Sequence, residues 1–212
     1  MRVPRIGVLG LQGDFARHLA MLESLGVESV HVALARDLEQ LDALVLPGGE
    51  STTMLRLLEA SSLRRALERA VATLPVMGTC AGVILLGRGG EGLPAPTLGV
   101  LDVSVERNAY GRQRDSFSAE LDTPVLAGGF RGVFIRAPRL GALGRGAQVV
   151  ARLAAGHARA GEPVGVRQGR VVGLCFHPEL TDDSRFHRWF LEEVAGLALP
   201  AGHAAETARA GR

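Results

Sequence analysis

Residues 75–86 read Pro-Val-Met-Gly-Thr-Cys-Ala-Gly-Val-Ile-Leu-Leu, an apolar run broken by a Gly-x-Cys-x-Gly core that then resumes. Few folds accommodate such a stretch. Where a buried strand stops at a glycine, turns tightly and continues as a helix, the side chain at the turn is thrust out of the sheet, as in a nucleophile elbow. Gly78 and Gly82 lack a Cβ, so they permit unusual φ/ψ and close backbone approach around Cys80. A helix beginning just after Cys80 aims unpaired N–H groups and a positive dipole end at the sulfur, which favours thiolate. A free cysteine can equally be a small buried space-filler. The motif by itself leaves both readings open.

The flanking chain narrows the fold. Residues 5–10 form a short apolar run ending in glycine. Phe15, Leu19, Leu22 and Leu25 then recur at helical steps, with Asp14 placed to cap the start and Gly26 to end the helix. Residues 29–33 and 41–46 again read as strands. Such alternation of short apolar runs with helical patterns marks a parallel sheet covered on both faces. From Thr97 the pattern changes to strand-like runs at 98–105, 117–121, 132–135 and 149–153. No helix is expected between 97 and 175, which suggests an antiparallel extension beside the parallel core. Residues 163–167 and 170–176 form a hairpin pattern around Gln168 and Gly169. A last helix is expected from about 183 to 195, with Thr181 as a cap and Phe186, Trp189, Phe190 and Val194 on its buried face. The expected fold is α/β: a doubly wound, mostly parallel, flavodoxin-like sheet with an antiparallel extension. Residues 1–200 read as one domain and residues 201–212, small and polar, as a frayed tail.

Composition sets limits on partners. A chain of 212 residues can bury a sizeable core, and 47% hydrophobic with 22% charged residues belongs to a globular protein. A formal charge of +2 gives no reason to expect nucleic acid or an anionic membrane as the main partner. Apolar runs fall well short of the ~20 residues of a membrane span. Cys80 and Cys175 allow at most one bridge, and no secretory signal opens the chain, so the expected setting is the reducing cytoplasm. Cys175, inside an apolar strand, reads as core.

Several loops carry chemistry-bearing residues. In residues 10–14, Gly-Leu-Gln-Gly-Asp, a dinucleotide-binding spacing is lacking, and Gln12 is the polar residue that a tight turn leaves unexplained. Residues 46–53, Leu-Pro-Gly-Gly-Glu-Ser-Thr-Thr, put two glycines after a strand. The loop can bring backbone N–H groups against a ligand as oxyanion donors, and Ser51 or Thr52 can cap a helix beginning near Met54. Residues 105–117 are densely polar and read first as a solvated loop, within which Arg107 offers a guanidinium fork suited to a carboxylate. Arg136, ending an apolar strand, reads as a surface charge. At residues 175–179, Cys-Phe-His-Pro-Glu, proline biases His177 toward extended geometry, so His177 and Glu179 point to one side. A carboxylate there can hold one imidazole nitrogen and leave the other as a base.

A cysteine on an elbow, a His-x-Glu at a distant strand end and a Gly-Gly loop together meet the requirements of acyl transfer. At these residues the chain resembles the class I, triad-type glutamine amidotransferases. More narrowly it is similar to the glutaminase subunits of pyridoxal 5′-phosphate synthase, through residues 7–13, 46–53, 78–82, 105–117, 132–138 and 176–181. The glycine-rich loop at 87–92 and the tail lie outside the match. The resemblance implies hydrolysis of L-glutamine by Cys80, His177 and Glu179, with oxyanion donors at Gly49 and Ala81. It implies substrate contacts at Gly49, Glu50, Ser51, Arg107, Ile135 and Arg136. Gln12 is assigned to the docking surface for a ring-shaped (β/α)8-barrel synthase subunit that consumes the ammonia. No cofactor or metal is implied. A glutaminase serving another synthase, or a cysteine peptidase or esterase, would use the same groups. A non-catalytic binding module would not need the sulfur.

Overall fold

The computed structural model describes residues 2–89, 92–107 and 116–200. The proposed tail, the middle of the 87–92 loop and most of the polar 105–117 loop therefore lie outside the described residues. The chain opens with β1 (Arg5–Leu9), α1 (Phe15–Ser24), β2 (Glu28–Val32), β3 (Ala43–Leu46), α2 (Ser51–Glu59), α3 (Leu63–Thr73), β4 (Val76–Thr79) and α4 (Ala81–Leu86). It continues with β5 (Val103–Glu106), β6 (Ser116–Asp122), β7 (Phe130–Ile135), β8 (Arg139–Leu143), β9 (Gln148–Leu153), β10 (Pro163–Gln168) and β11 (Val171–Leu174). A short 3-10 turn at Pro178–Leu180 precedes α5 (Arg185–Trp189), which runs on into a π-helical segment, Phe190–Val194.

The main sheet has the order β2-β1-β3-β4-β11-β10-β9-β6-β7. From β2 through β11 neighbouring strands are parallel, and from β11 to β7 each pairing is antiparallel. The parallel half is the expected α/β core, and the rest is the expected extension. Chain order steps from β1 to β2 on one side and then to β3 on the other. With right-handed crossovers, that reversal puts α1 on one face and the helices after β3 on the other, as a doubly wound sheet requires. A ligand crevice belongs outside the carboxyl ends of the strands near such a reversal.

Burial follows the pattern of the strands. All four residues of β3, β4 and β11 are buried, as expected of strands covered on both faces. β6, covered on one face, alternates. Phe176 packs with Phe130, Phe134 and Phe186, tilted or edge-on at centroid distances of 4.7–5.8 Å within this cluster. Among the described residues no helix is long and apolar enough to cross a membrane.

Several local expectations are corrected. α1 lacks a side-chain cap from Asp14, and its fully buried positions are His18 and Leu22, with Phe15 and Leu19 only half-buried. α2 begins at Ser51, and the cap is Glu50, whose carboxylate accepts the N–H groups of Thr52 and Thr53. Neither Ser51 nor Thr52 does so, because both lie already inside the helix. Thr181 does not cap the last helix. Its hydroxyl donates to the Pro178 carbonyl and accepts from the Asp183 N–H, while the Asp183 carboxylate accepts from Arg185 N–H. α3 is an element that the sequence reading does not include, and Leu63, Leu67 and Val71 give it a buried stripe. The expected strand at 98–105 shrinks to β5, which leaves the main sheet to pair with β8.

The glycine at position 82 is required by the fold. A Cβ there would collide with the Leu46 carbonyl at the end of β3, a backbone atom that cannot step aside. Gly82→Ala should therefore lower stability by about 1–3 kcal/mol, the usual cost of overpacking, or more. A chemical denaturation midpoint unchanged from the parent would show that α4 does not pack this closely.

Candidate functional site

The candidate nucleophile lies at the sheet's carboxyl rim. β4 pairs in parallel with β11, Thr79 opposite Leu174, and Cys80 N–H donates to the Leu174 carbonyl at 2.8 Å. Both chains therefore leave the sheet at the same edge, and Cys80 and His177 meet despite their distance in sequence. Cys80 has φ +49 and ψ −106, a left-handed conformation unusual for a residue with a side chain, and α4 begins immediately after it. The residue is 6% exposed, and its thiol contacts the Ile135 carbonyl at 3.8 Å.

His177 is held by its own N–H, which donates to the Val133 carbonyl at 2.8 Å. Its backbone is near-extended, φ −107 and ψ 89, as the following proline demands. Glu179 shares its side, but not through an extended strand as the sequence suggested: Pro178–Leu180 curl into a 3-10 turn. His177 Nδ1 lies 2.7 Å from Glu179 Oε1. Its Nε2 faces Cys80 and has no aligned hydrogen-bond partner among the described residues. Gly48 makes the room, since a Cβ there would strike the His177 ring.

These groups open into a cavity of about 360 Å³. Cys80, Ala81 and His177 line one part of its wall, with Gly49, Glu50 and Ser51 from the end of β3 and Gln12 from the end of β1. Arg107, Ile135 and Arg136 line it as well, so every site residue singled out from the sequence borders this cavity except Glu179, buried behind His177. Gly48, Asp14 and Ile84 also border it, though the sequence gives none of the three a role of its own in the site. Gln12 Oε1 accepts the Glu50 N–H at 2.6 Å, tying the β1 and β3 loops together. Arg107 Nη2 donates to Thr52 Oγ1 at 2.9 Å and lies 3.4 Å from Glu50 Oε1.

The electrostatics favour an imidazolium beside the sulfur. Burial works against charge on His177, but the Cys80 sulfur and Glu179 carboxylate outweigh it and raise its pKa from 6.5 to about 10. Burial likewise opposes ionisation of Glu179, yet His18 and His177 hold it well below the usual carboxylate range. At Glu50, partial burial is overcome by the Thr53 hydroxyl and the Thr52 and Thr53 N–H groups, and its pKa falls to about 2. Burial raises the Cys175 thiol well above its ordinary value, with a smaller push from Cys80. That suits the core role expected for Cys175. Two further histidines, His18 and His187, lie fully buried behind Glu179 and were missed in the sequence. Their helical spacing was the available signal: position 18 falls between Phe15 and Leu22, and position 187 lies beside Phe190 and Leu191.

Residues 8–196 match the SNO glutamine amidotransferase family. The chain belongs to that family. It is 52% identical to the pyridoxal 5′-phosphate synthase subunit PdxT of Thermus thermophilus over 196 residues, covering 91% of this chain and 98% of that protein. Its identity to the protein of the same name from Thermotoga neapolitana is 47% over 192 residues, covering 90% and 99%. A crystal structure of a glutamine amidotransferase, 46% identical, superposes with a TM-score of 0.82 over 91% of this chain and 99% of that one. A putative GMP synthase subunit from Thermoplasma acidophilum, 18% identical with a TM-score of 0.64 over 92% and 94%, shares the fold.

Two buried histidines with opposite shifts set the pH range of this family member's stability. The folded pKa of His177 is raised from 6.5 to about 10, so its contribution is fully present below pH 6.5 and is lost as pH rises through 10. Burial lowers His187 from 6.5 to about 3, so below pH 6.5 the unfolded chain gains a proton that the folded chain refuses. The melting temperature should peak near pH 6.5 and fall on both sides, and His187→Gln should flatten the acid side. A monotonic profile from pH 4 to 9 would contradict these assignments.

Proposed function

We propose that the chain is a glutaminase that hydrolyses L-glutamine to L-glutamate and ammonia through a γ-glutamyl thioester, and that it supplies pyridoxal 5′-phosphate synthesis. The observation that carries this reading is Cys80 on a strained elbow facing an imidazole whose other nitrogen is held by a buried carboxylate. Residues 1–200 are taken as a single glutaminase domain working in the cytoplasm.

Cys80 attacks the side-chain amide carbon as a thiolate. The electron pair of the carbonyl moves to oxygen, where the N–H groups of Gly49 and Ala81 stabilise the oxyanion. Collapse of this intermediate breaks the C–N bond, and His177 gives its Nε2 proton to the departing nitrogen. An imidazole held protonated by its neighbours is the acid this step needs. The neutral imidazole then takes a proton from water, which attacks the thioester. The thiolate leaves and the ion pair with His177 is restored. Glu179 orients the ring and stabilises its charge in both halves of the cycle.

Substrate contacts follow from the remaining lining groups. Glu50, ionised through most of the pH range, suits the glutamine α-ammonium, and Arg107 suits its α-carboxylate. Ile135, which lines the cavity with its carbonyl 3.8 Å from the sulfur, serves through its backbone. Ser51 and Arg136 complete the pocket wall. Ammonia loses its nucleophilicity when protonated, so it passes by a shielded path to a (β/α)8-barrel synthase subunit, ring-shaped in its assembly. Gln12 couples docking of that subunit to completion of the oxyanion hole, since its carbonyl already holds the N–H of the residue after Gly49.

Glutamate release by the full chain, with and without the barrel subunit, tests the reading. Cys80→Ala should abolish it, and a Cys80→Ala protein that releases glutamate at the parental rate would reject covalent catalysis. Gln12→Ala should lower partner-stimulated turnover by up to about 100- to 1000-fold, the scale of losing one oxyanion donor. Stimulation untouched by that change would remove Gln12 from the coupling.

A further inference from the structure

Behind Glu179 the structure holds a second buried polar layer that hydrolysis by three residues does not call for. His18, on the buried stripe of α1, is fully inaccessible, and its Nε2 lies 3.2 Å from Glu179 Oε2 and 3.2 Å from Thr79 Oγ1. Its Nδ1 lies 2.9 Å from Nε2 of His187, itself fully buried on α5. An ionised carboxylate repels a bare nitrogen lone pair, so a nitrogen at that distance from Oε2 carries a proton. His18 Nε2 is hydrogen-bonded to the hydroxyl of the residue just before Cys80, and it brings positive charge within 3.2 Å of the second oxygen of Glu179, which has no aligned hydrogen bond among the described residues. One imidazole joins α1, the end of β4, the Pro178–Leu180 turn and α5.

Such an arrangement is expensive to keep. A leucine at position 18 would continue the apolar stripe of Phe15, Leu19 and Leu22 without desolvating a polar ring, and His187 Nδ1 is left with no hydrogen-bond partner among the described residues. What Glu179 would lose is definition. Rotation about its terminal bond is broad, and Oε1 is held by His177 whereas Oε2 depends on His18. The titratable groups facing this carboxylate are His177, His18 and, beyond them, His187, and those facing His177 are Glu179 and Cys80.

We propose that His18 is a positioning residue of the triad: anchored on Thr79 Oγ1, its Nε2–H attracts Glu179 Oε2 across 3.2 Å and so keeps Oε1 on His177 Nδ1, while His187 fixes the imidazole of His18 from behind. This rests on the reading of Cys80, His177 and Glu179 as the acyl-transfer machinery. His18 acts through Glu179 and touches neither glutamine nor the reacting atoms.

Two isosteric substitutions separate positioning from packing. The amide nitrogen of glutamine falls where Nε2 was and that of asparagine where Nδ1 was. His18→Gln therefore keeps the donor toward Glu179, and His18→Asn keeps the contact with His187. Glutamate release by the full chain with the barrel subunit, and the pH dependence of Cys80 alkylation by iodoacetamide in the full chain alone, are measured for both. Expected for His18→Asn is a kcat lower by about 10–100-fold, the scale seen when a group orienting an active-site ligand is lost, with KM for glutamine within about twofold. Its Cys80 alkylation should need a higher pH, because a poorly oriented Glu179 stabilises the imidazolium less. His18→Gln should retain kcat within about threefold and the parental alkylation midpoint. Gln and Asn variants alike in kcat and alkylation midpoint would overturn the proposal, whatever their melting temperatures. Cys80→Ala in parallel keeps the failures apart: glutamate release surviving that change rejects the triad reading itself, whereas its loss alongside indifferent His18 variants rejects only the role of His18.

Discussion

The parallel register of β4 with β11 is the constraint on which the site depends. With Thr79 opposite Leu174, the elbow at Cys80 and the His-Pro-Glu turn emerge side by side from one rim of the sheet. A shift of one residue would reverse which face each side chain takes. That register is fixed by strands buried on both faces, and by Gly173, where a Cβ would crowd Val83 and Leu101. The proposed chemistry is therefore built on the most rigid part of the molecule, and the loops after β1, β3 and β7 supply the walls around it.

The groups behind the sulfur form a line of alternating character: thiol, imidazole, carboxylate, imidazole, imidazole. Each buried charge has an opposite charge or a donor beside it, which is how a low-dielectric interior tolerates ionised side chains. Glu179 stays ionised because histidines flank it, and His177 stays protonated because Glu179 and Cys80 do. At the end of the line His187 is kept neutral by burial, so charge does not spread into the core. Glu50 stands apart at the cavity mouth, tied to the start of α2 by the amides it caps.

Much of the fold was legible in the sequence because it depends on local pattern. The 3.6-residue stripe of α1, the apolar runs of β1, β3 and β4 and the switch to strands after Thr97 each announce an element. The Gly-x-Cys-x-Gly turn and the His-Pro-Glu sequence were visible for the same reason, and family resemblance joined them. Less legible was whatever depends on a long-range partner. Glu50 as a helix cap, the departure of β5 to pair with β8 and the 3-10 turn at Pro178–Leu180 are settled by what lies across space. His18 and His187 do not stand out in the sequence because polar residues on an apolar stripe read as interruptions. Their meaning appears when the carboxylate they surround is in view.

The central claim is that a single sulfur at the sheet's rim carries the acyl group. Acid quenching of the full chain during turnover with glutamine and the barrel subunit, followed by peptide-resolved mass spectrometry, tests it directly. A glutamyl adduct should be found on the peptide containing Cys80 and not on that containing Cys175. Steady glutamate release with no adduct on Cys80, or with the adduct on Cys175, would contradict the account.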